Sequence, residues 1–359
     1  MNNGFERPKH LNPMLEPYAN IFQRYMEFDA RGASPLYEHL SVRVAADPEL
    51  LELTTHARKG QPVPNLLFGS VQYLLLKGVQ HPLAAYYPSI SGDTMLNWVE
   101  DPYPLFRAFC LEHYDEIKHM IATRLVQTNE VRRCACLLPA FGLVVQQARG
   151  LPLALVEIGA SAGLNLLWDR YGYDYGEDGR YGDMHSPVQL RCHLRGERRP
   201  VFSAMLPAVA SRIGIDLDPI DVRNAEETLW LQALIWPEHD KRLHMLQNAI
   251  EIARQEPPQL VAGDALDLLP TIMASVPPDT ALCLFHTFVL NQFLPVDRER
   301  LTALFAAEAT RRDLYVISIA WLYGEVPQLT LQSFQDGIQT VRKLAFCSGH
   351  ARWMEWVAD

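Results

Sequence analysis

Cysteine is scarce in this chain, six residues in 359. Cys110, Cys134, Cys136, Cys192, Cys283 and Cys347 are too scattered for the disulfide framework of a small secreted domain. No pair has the C-x-x-C spacing of a zinc or redox site; Cys134 and Cys136 stand one residue too close. They read as small apolar core residues. Long apolar runs are missing as well. The longest, Cys134 to Val145, covers about 12 residues against the roughly 18 that cross a bilayer. The opening MNNGFERPKHLNP has no apolar segment of the secretory type, so a reducing cytoplasm and no membrane partner are expected. Basic charge is in deficit: 32 Lys and Arg face 42 Asp and Glu, a net charge of −10. Gripping phosphates needs a basic face, so nucleic acid is not expected as a partner and a small-molecule substrate is. Metal motifs are lacking too. Glu116 and His119 form a single Glu-x-x-His where a helical di-iron site needs two. There is no His-Glu-x-x-His or P-loop string, and no metal is expected.

What the chain does have is core material. Hydrophobic residues make up 48% and charged residues 21%, a globular balance that excludes disorder as the main theme. The length suggests two domains. Residues 1–150 read as a helical cap region: Tyr18–Phe28, Leu66–Lys77, Pro104–Leu125 and Glu130–Ala148 carry apolar residues at three- and four-residue spacing. Gly150-Leu151-Pro152 reads as a hinge. Residues 151–359 change rhythm. Short apolar runs stand at Leu153–Ile158, Ile213–Leu217, Gln259–Ala262, Ala281–Phe285 and Leu314–Ile319. Helical patterns separate them at Glu226–Ile235, His239–Ala253, Ala265–Ala274 and Asp297–Ala309. Such alternation predicts an α/β fold with a doubly wound parallel sheet. Leu329–Phe334 and Val341–Trp356 would add a terminal pair of strands.

The densest chemical signal is LALVEIGASAGLNLLWDRY, Leu153 to Tyr171. A buried strand ends in Gly159-Ala160-Ser161-Ala162-Gly163 and is expected to run straight into a helix. Small residues there would let a ligand approach free backbone N–H groups. Two chemistries compete for the string. As G-x-S-x-G it matches the nucleophile elbow of an α/β-hydrolase, with Ser161 as nucleophile, His286 or His350 as base and Asp264 as a partner acid. That reading leaves Glu157 unexplained, and a helical leader stands where earlier strands and an oxyanion loop should be. As E-x-G-x-S-x-G it resembles the first motif of class I S-adenosylmethionine-dependent methyltransferases, with Ser161 in place of the middle glycine.

The later loops extend the methyltransferase resemblance. Arg212-Ile-Gly-Ile-Asp-Leu-Asp-Pro219 resembles the end of that family's second strand, whose acid takes the ribose hydroxyls; a carboxylate suits the task because it accepts two hydrogen bonds at once. Asp216 is the match and Asp218 the reserve. Leu260-Val-Ala-Gly-Asp-Ala265 resembles the third-strand loop, implying Asp264 beside the adenine amine and an N–H from Ala265 to the ring. Either aspartate also reads as a helix N-cap. The resemblance implies a pocket lined by Glu157, Gly159, Ala160, Ser161, Gly163 and Asn165, with S-adenosylmethionine as cofactor. His286, at the end of the fourth strand, reads either as a general base or as a core histidine. In dinucleotide folds the ribose acid follows the glycine turn by about 20 residues; Asp216 lies more than twice as far on. Residues 172–211 therefore read as an insertion, unless Val188–Leu194 is the second strand and Glu197 its acid.

Other groups read as structure first. Trp168, Tyr171, Tyr173 and Tyr175 suit aromatic packing better than a substrate wall. Asp169 and Arg170 suit surface or interdomain pairs, and Trp236-Pro-Glu-His239 the start of a helix. Arg191, Arg195, Arg198 and Arg199 form a solvated run or steer an anion. His350 and Trp353 reach the pocket only if the last hairpin folds over it. Together LVEIGASAGLNLLWDRYGYDYG, GIDLDPIDV, LIWPEHDKR, VAGDALDLLP and FHTFVLNQF look like an uncharacterised bacterial family, a domain of unknown function with a methyltransferase-like core. That resemblance implies a Rossmann-like methyltransferase sheet preceded by a helical N-terminal region. It also implies methyl transfer to an unknown small or medium-sized acceptor. A non-catalytic module that binds a nucleotide-like ligand on the same fold is the further alternative.

Overall fold

The computed structural model describes residues 11–92, 100–203, 205–321 and 326–359. The chain divides into two compact units, Met1–Thr128 with Ala225–His244, and Asn129–Asn224 with Met245–Asp359. Proline and short polar side chains mark where the helices of the first unit begin. Those helices are α1 (Glu16–Tyr25), α2 (Pro35–Val44), α3 (Pro48–Thr54), α4 (Val63–Leu76), α5 (Pro88–Ser91), α6 (Tyr103–Glu112) and α7 (Tyr114–Thr123). Ser34 accepts from the Tyr37 amide ahead of α2 and Asp47 from the Glu49 and Leu50 amides ahead of α3. In both, a proline takes the next position, where its missing N–H costs nothing. The run expected as one helix over Pro104–Leu125 is broken at His113 into α6 and α7.

After α8 (Cys134–Gln147), which belongs to the second unit, α9 (Ala225–Ala233) completes the first. α4 is its axis, buried from Val63 to Leu75. Gly69 packs against Trp230 of α9 and Leu234 just beyond it: a Cβ there would meet Leu234 at 3.1 Å and Trp230 at 3.5 Å. Trp230 Nε1 donates to the Leu125 carbonyl at 2.8 Å, and Gln72 Nε2 to that of Ile235 at 2.9 Å. Glu238 accepts from Ser34 Oγ at 2.7 Å and from the Leu36 amide at 2.9 Å. Trp236–His239 is thus an anchor, and α10 (Asp240–Gln255) starts beyond it.

The second unit is a mixed α/β unit. Its strands are β1 (Leu153–Ile158), β2 (Gly172–Asp174), β3 (Arg180–Gly182), β4 (Gln189–Arg191), β5 (His193–Arg195), β6 (Val209–Asp216) and β7 (Gln259–Ala262). α11 (Ala265–Ser275), β8 (Ala281–Thr287), α12 (Pro295–Ala309), β9 (Leu314–Ala320), β10 (Gln328–Gln335), β11 (Ile338–Cys347) and β12 (Trp353–Trp356) follow. Among the described residues the large sheet has nine strands in the order β5-β12-β11-β10-β9-β8-β1-β6-β7. From β7 to β9 every pair is parallel, whereas β9 to β12 pair antiparallel. β1, β8 and β9 are buried along most of their length and carry nearly continuous apolar side chains, as parallel strands covered on both faces must. The chain steps outward from β1 to β6 and β7, then crosses back to β8 on the other side of β1.

One alternative falls and two local expectations change. The second strand is β6, paired with β1 over Leu153–Ile158. Val188–Leu194 instead supplies β4, in a small sheet with β2 and β3, and β5, at the far edge of the large sheet. The tail forms three strands rather than two. Finally, the segment after the glycine turn is a kinked 3-10 stretch, Leu164–Arg170, with Leu167 outside helical geometry.

Candidate functional site

The glycine turn follows β1 and is closed by the protein itself. The amides of Gly159 and Ala160 both donate to the Ile215 carbonyl, at 2.8 and 3.1 Å. The Ser161 amide donates to Asp216 Oδ2 at 2.8 Å, and that of Gly163 to the Ala160 carbonyl at 2.7 Å. Asn129 Oδ1 accepts from the Leu164 amide at 2.9 Å. The N–H groups of Gly159, Ala160, Ser161, Gly163 and Leu164, expected to await a ligand, therefore have partners here. The following segment is too short and irregular to present a helix N-terminus.

The glycines are also accounted for by packing. Gly159 (φ 74°) and Gly163 (φ 71°) lie in the left-handed region, where glycine alone fits without cost. A Cβ on Gly159 would stand 2.7 Å from Val289, and one on Gly163 2.7 Å from Pro258 and 2.9 Å from Leu260. Ser161 takes the same left-handed backbone (φ 52°) although it carries a side chain. Its Oγ is buried with no hydrogen-bond partner among the described residues, whereas a hydrolase nucleophile bonds to its base.

Asp216 ends β6 half-buried, its Oδ1 accepting from the Asp218 amide at 3.1 Å. Asp218 itself is exposed. Asp264 is exposed and caps α11, accepting from the Leu266 amide at 2.8 Å, while Ala265 is buried in the first turn. Glu197 follows β5 at the far edge of the sheet and is remote from the turn in strand order.

Glu157 is 1% exposed, and its Oε1 accepts from Asn165 Nδ2 at 3.1 Å. Its Oε2 has no partner among the described residues. Burial pushes its pKa well up and the charge of Asp216 adds to this, against opposing effects from Asn165 and Arg133; desolvation penalises the charged form. Cys134 Sγ donates to Asn165 Oδ1 at 3.4 Å and completes a buried chain of three side chains. His286 does not join it. Strand alternation separates the two: Glu157 registers with Phe285, whose ring packs on Phe141 of α8 at 5.4 Å. His286 registers with Ile158 and Ser318, on the face whose core contains α11 and α12. It is 2% exposed, its Nδ1 lacks a partner among the described residues, and burial lowers its pKa to about 4.

The aromatic run is packing. Tyr171, Tyr173 and Tyr175 are buried, and their hydroxyls donate to the carbonyls of Leu164, Trp168 and Ala135 at 2.6, 2.5 and 2.6 Å. Trp168 stacks on Phe141 at 4.7 Å. Asp169 pairs with Arg212, and Arg170 with Glu256. In the basic run, Arg195 lies over Trp353 at 4.3 Å, while Arg198 pairs with Asp359 and Arg199 with Asp178. Arg191 is exposed and His350 half-buried. Glu116 pairs with His113 on α7, and no metal-binding group of three side chains occurs among the described residues. No helix among them is long and apolar enough to cross a membrane.

Sequence reasoning missed Asn129, Arg133 and Val289. Arg133 stands just before α8; its Nη1 donates to Thr287 Oγ1 at 3.2 Å, its Nε to the Gly349 carbonyl at 3.3 Å, and its guanidinium covers the Phe288 ring at 4.5 Å. Val289 stands within the FHTFVLNQF string without being singled out there, and no motif flags Asn129 or Arg133, which come from a segment far from the turn in sequence.

The model of a family described as uncharacterized proteins conserved in bacteria (DUF2332) matches residues 19–356. The chain belongs to that family. No curated protein and no solved structure matches it significantly.

Proposed function

We propose that this member of an uncharacterised bacterial family binds S-adenosylmethionine beside the turn after β1 and transfers its methyl group to a small or medium-sized acceptor. One observation carries the reading: the small-residue turn after β1 is bonded directly to the carboxylate ending the neighbouring parallel strand, Ser161 N to Asp216 Oδ2. A second aspartate, Asp264, follows the strand after that. In open α/β sheets, ligands collect outside the carboxyl ends of the strands where their order reverses, here between β1 and β8. The finer assignment, a doubly wound methyltransferase sheet, is part of the same proposal; the parallel order β7-β6-β1-β8-β9 supports it. The glycines themselves lend no support, since protein side chains fill the space beside them.

The residues fit such a ligand in one respect that the protein alone leaves open. Glu157 Oε2 and Ser161 Oγ are buried polar atoms without partners among the described residues, and such atoms are costly unless something bonds them. Asp216 would hold the ribose and Asp264 the adenine amine, with Glu157, Ser161 and Asn165 facing the rest of the ligand. When bound, the sulfonium supplies an already activated methyl carbon. The protein's part is to orient the acceptor and exclude water. His286, neutral at pH 7, lies on the other face of the sheet from Glu157, so it is the candidate to receive a proton only from an acceptor that enters on the α11–α12 side. Calorimetric titration with S-adenosylmethionine and its demethylated product tests the reading. Both are expected to bind, with Asp216→Ala weakening each severalfold or more; absence of heat for either ligand and of any thermal shift contradicts it.

A further inference from the structure

The amino ends of the parallel strands hold a cleft that the proposed function does not use. It measures about 310 Å³ and is framed by Arg149, Thr280, Arg312, Asp313, Tyr315 and Asp336. Pockets of this size suit small ligands. Its charges are balanced and arranged around one hydroxyl. Tyr315 is 1% exposed, and its hydroxyl oxygen is buried with no hydrogen-bond partner among the described residues. Burial and then Asp313 push its pKa up to about 12, with Asp336 adding to the rise and Arg149 opposing it, so all three charged groups act on it. The remaining cation is already committed. Arg312 donates to the carbonyls of Val276, Pro277 and Thr280 at 2.8, 3.0 and 2.7 Å. Arg149 and Asp336 are exposed, each on left-handed backbone at φ 54° and 51°, a conformation that non-glycine residues enter at a cost. Asp313 is exposed beside them, and its Oδ1 accepts from the Asp336 amide at 3.4 Å.

A cleft with one available guanidinium, a buried phenol seeking a partner and two carboxylates presents complementary ends to a molecule carrying both charges. We infer that this cleft binds a small zwitterion of the amino-acid class, its carboxylate held by Arg149 and the Tyr315 hydroxyl and its ammonium by Asp313 and Asp336. Arginine forks carboxylates in two parallel hydrogen bonds, and the phenol donates the third. Leu151, Pro278 and Ala281 give the side chain an apolar wall.

The inference stands apart from the nucleoside reading, because the cleft lies at the other end of the same strands. Its test is titration of the intact protein with the free amino acids, their N-acetyl derivatives and their methyl esters, followed by calorimetry and thermal shift. At least one free amino acid is expected to bind in the millimolar range or tighter, and blocking either terminus to weaken it about tenfold or more. Arg149→Gln changes an exposed residue and Tyr315→Phe removes one oxygen. Each is expected to cost similar affinity while leaving S-adenosylmethionine binding unchanged. Failure of every free amino acid to bind overturns the inference. So does equal binding of esters or acetylated forms, or binding that both variants leave intact.

Discussion

His286 and Glu157 are both buried in the second unit, yet burial drives their protons in opposite directions. His286 is held neutral, with its folded pKa near 4 below the unfolded value of about 6.5. Its contribution to stability is therefore complete above the unfolded pKa and is lost as pH falls toward the folded one. The difference amounts to about 3 kcal/mol across that window. The denaturation midpoint in urea should fall more steeply between neutral pH and pH 4 in the native protein than in His286→Gln; parallel curves would show that the imidazole is not buried neutral. Glu157 has the reverse sign. Its raised pKa favours the protonated carboxyl in the folded state, so its contribution is present below the unfolded carboxylate pKa and lost as pH rises through the folded value. Relative to the native protein, Glu157→Gln should gain stability as pH is raised above 5, and a gap independent of pH would contradict the assignment.

At the scale of elements, the turn after β1 is held by packing from a distant segment. Gly159→Ala puts a methyl group against Val289 on left-handed backbone. Overpacking of this kind costs about 1 to 3 kcal/mol, and the backbone conformation adds to it. Val289→Ala should restore part of the loss when combined with Gly159→Ala, giving a coupling that a double-mutant cycle measures; strict additivity would mean the two do not meet. The turn also shows what was legible beforehand. β1, β8 and β9 were readable as short apolar runs, because strands buried on both faces leave no alternation to decipher. The glycines were readable as a tight turn but not as a packed one, since Val289, Pro258 and Leu260 come from other segments. The kink at Leu167 was hidden for a similar reason: LNLLWDR has a good helical pattern, yet Tyr171, Tyr173 and the Asn129 cap draw the backbone into a tighter path. The acid on β6 could be found by its resemblance; its bond to the Ser161 amide could not.

Over the whole molecule, the division into units follows tertiary contacts rather than chain order. Residues 225–244 join the first unit through Trp230, Leu234 and Glu238, a return that no local pattern announces. The cysteines behave as their scarcity suggested. All six are free and buried, and burial raises the pKa of Cys110, Cys134 and Cys283. Buried thiols held protonated are unreactive. Ellman's reagent should therefore titrate almost none of the six in the folded protein and all of them in denaturant; rapid reaction of several in the native state would contradict the core described here.

The two strand ends of the large sheet carry different proposals, a nucleoside at the carboxyl ends and a zwitterion at the amino ends. Ultraviolet cross-linking of methyl-labelled S-adenosylmethionine, followed by peptide mapping, addresses the central claim most directly. The account predicts label in peptides containing residues 157–165 or 216–218, competed by the demethylated product. Label confined to other peptides, or none under conditions of saturating ligand, would contradict it.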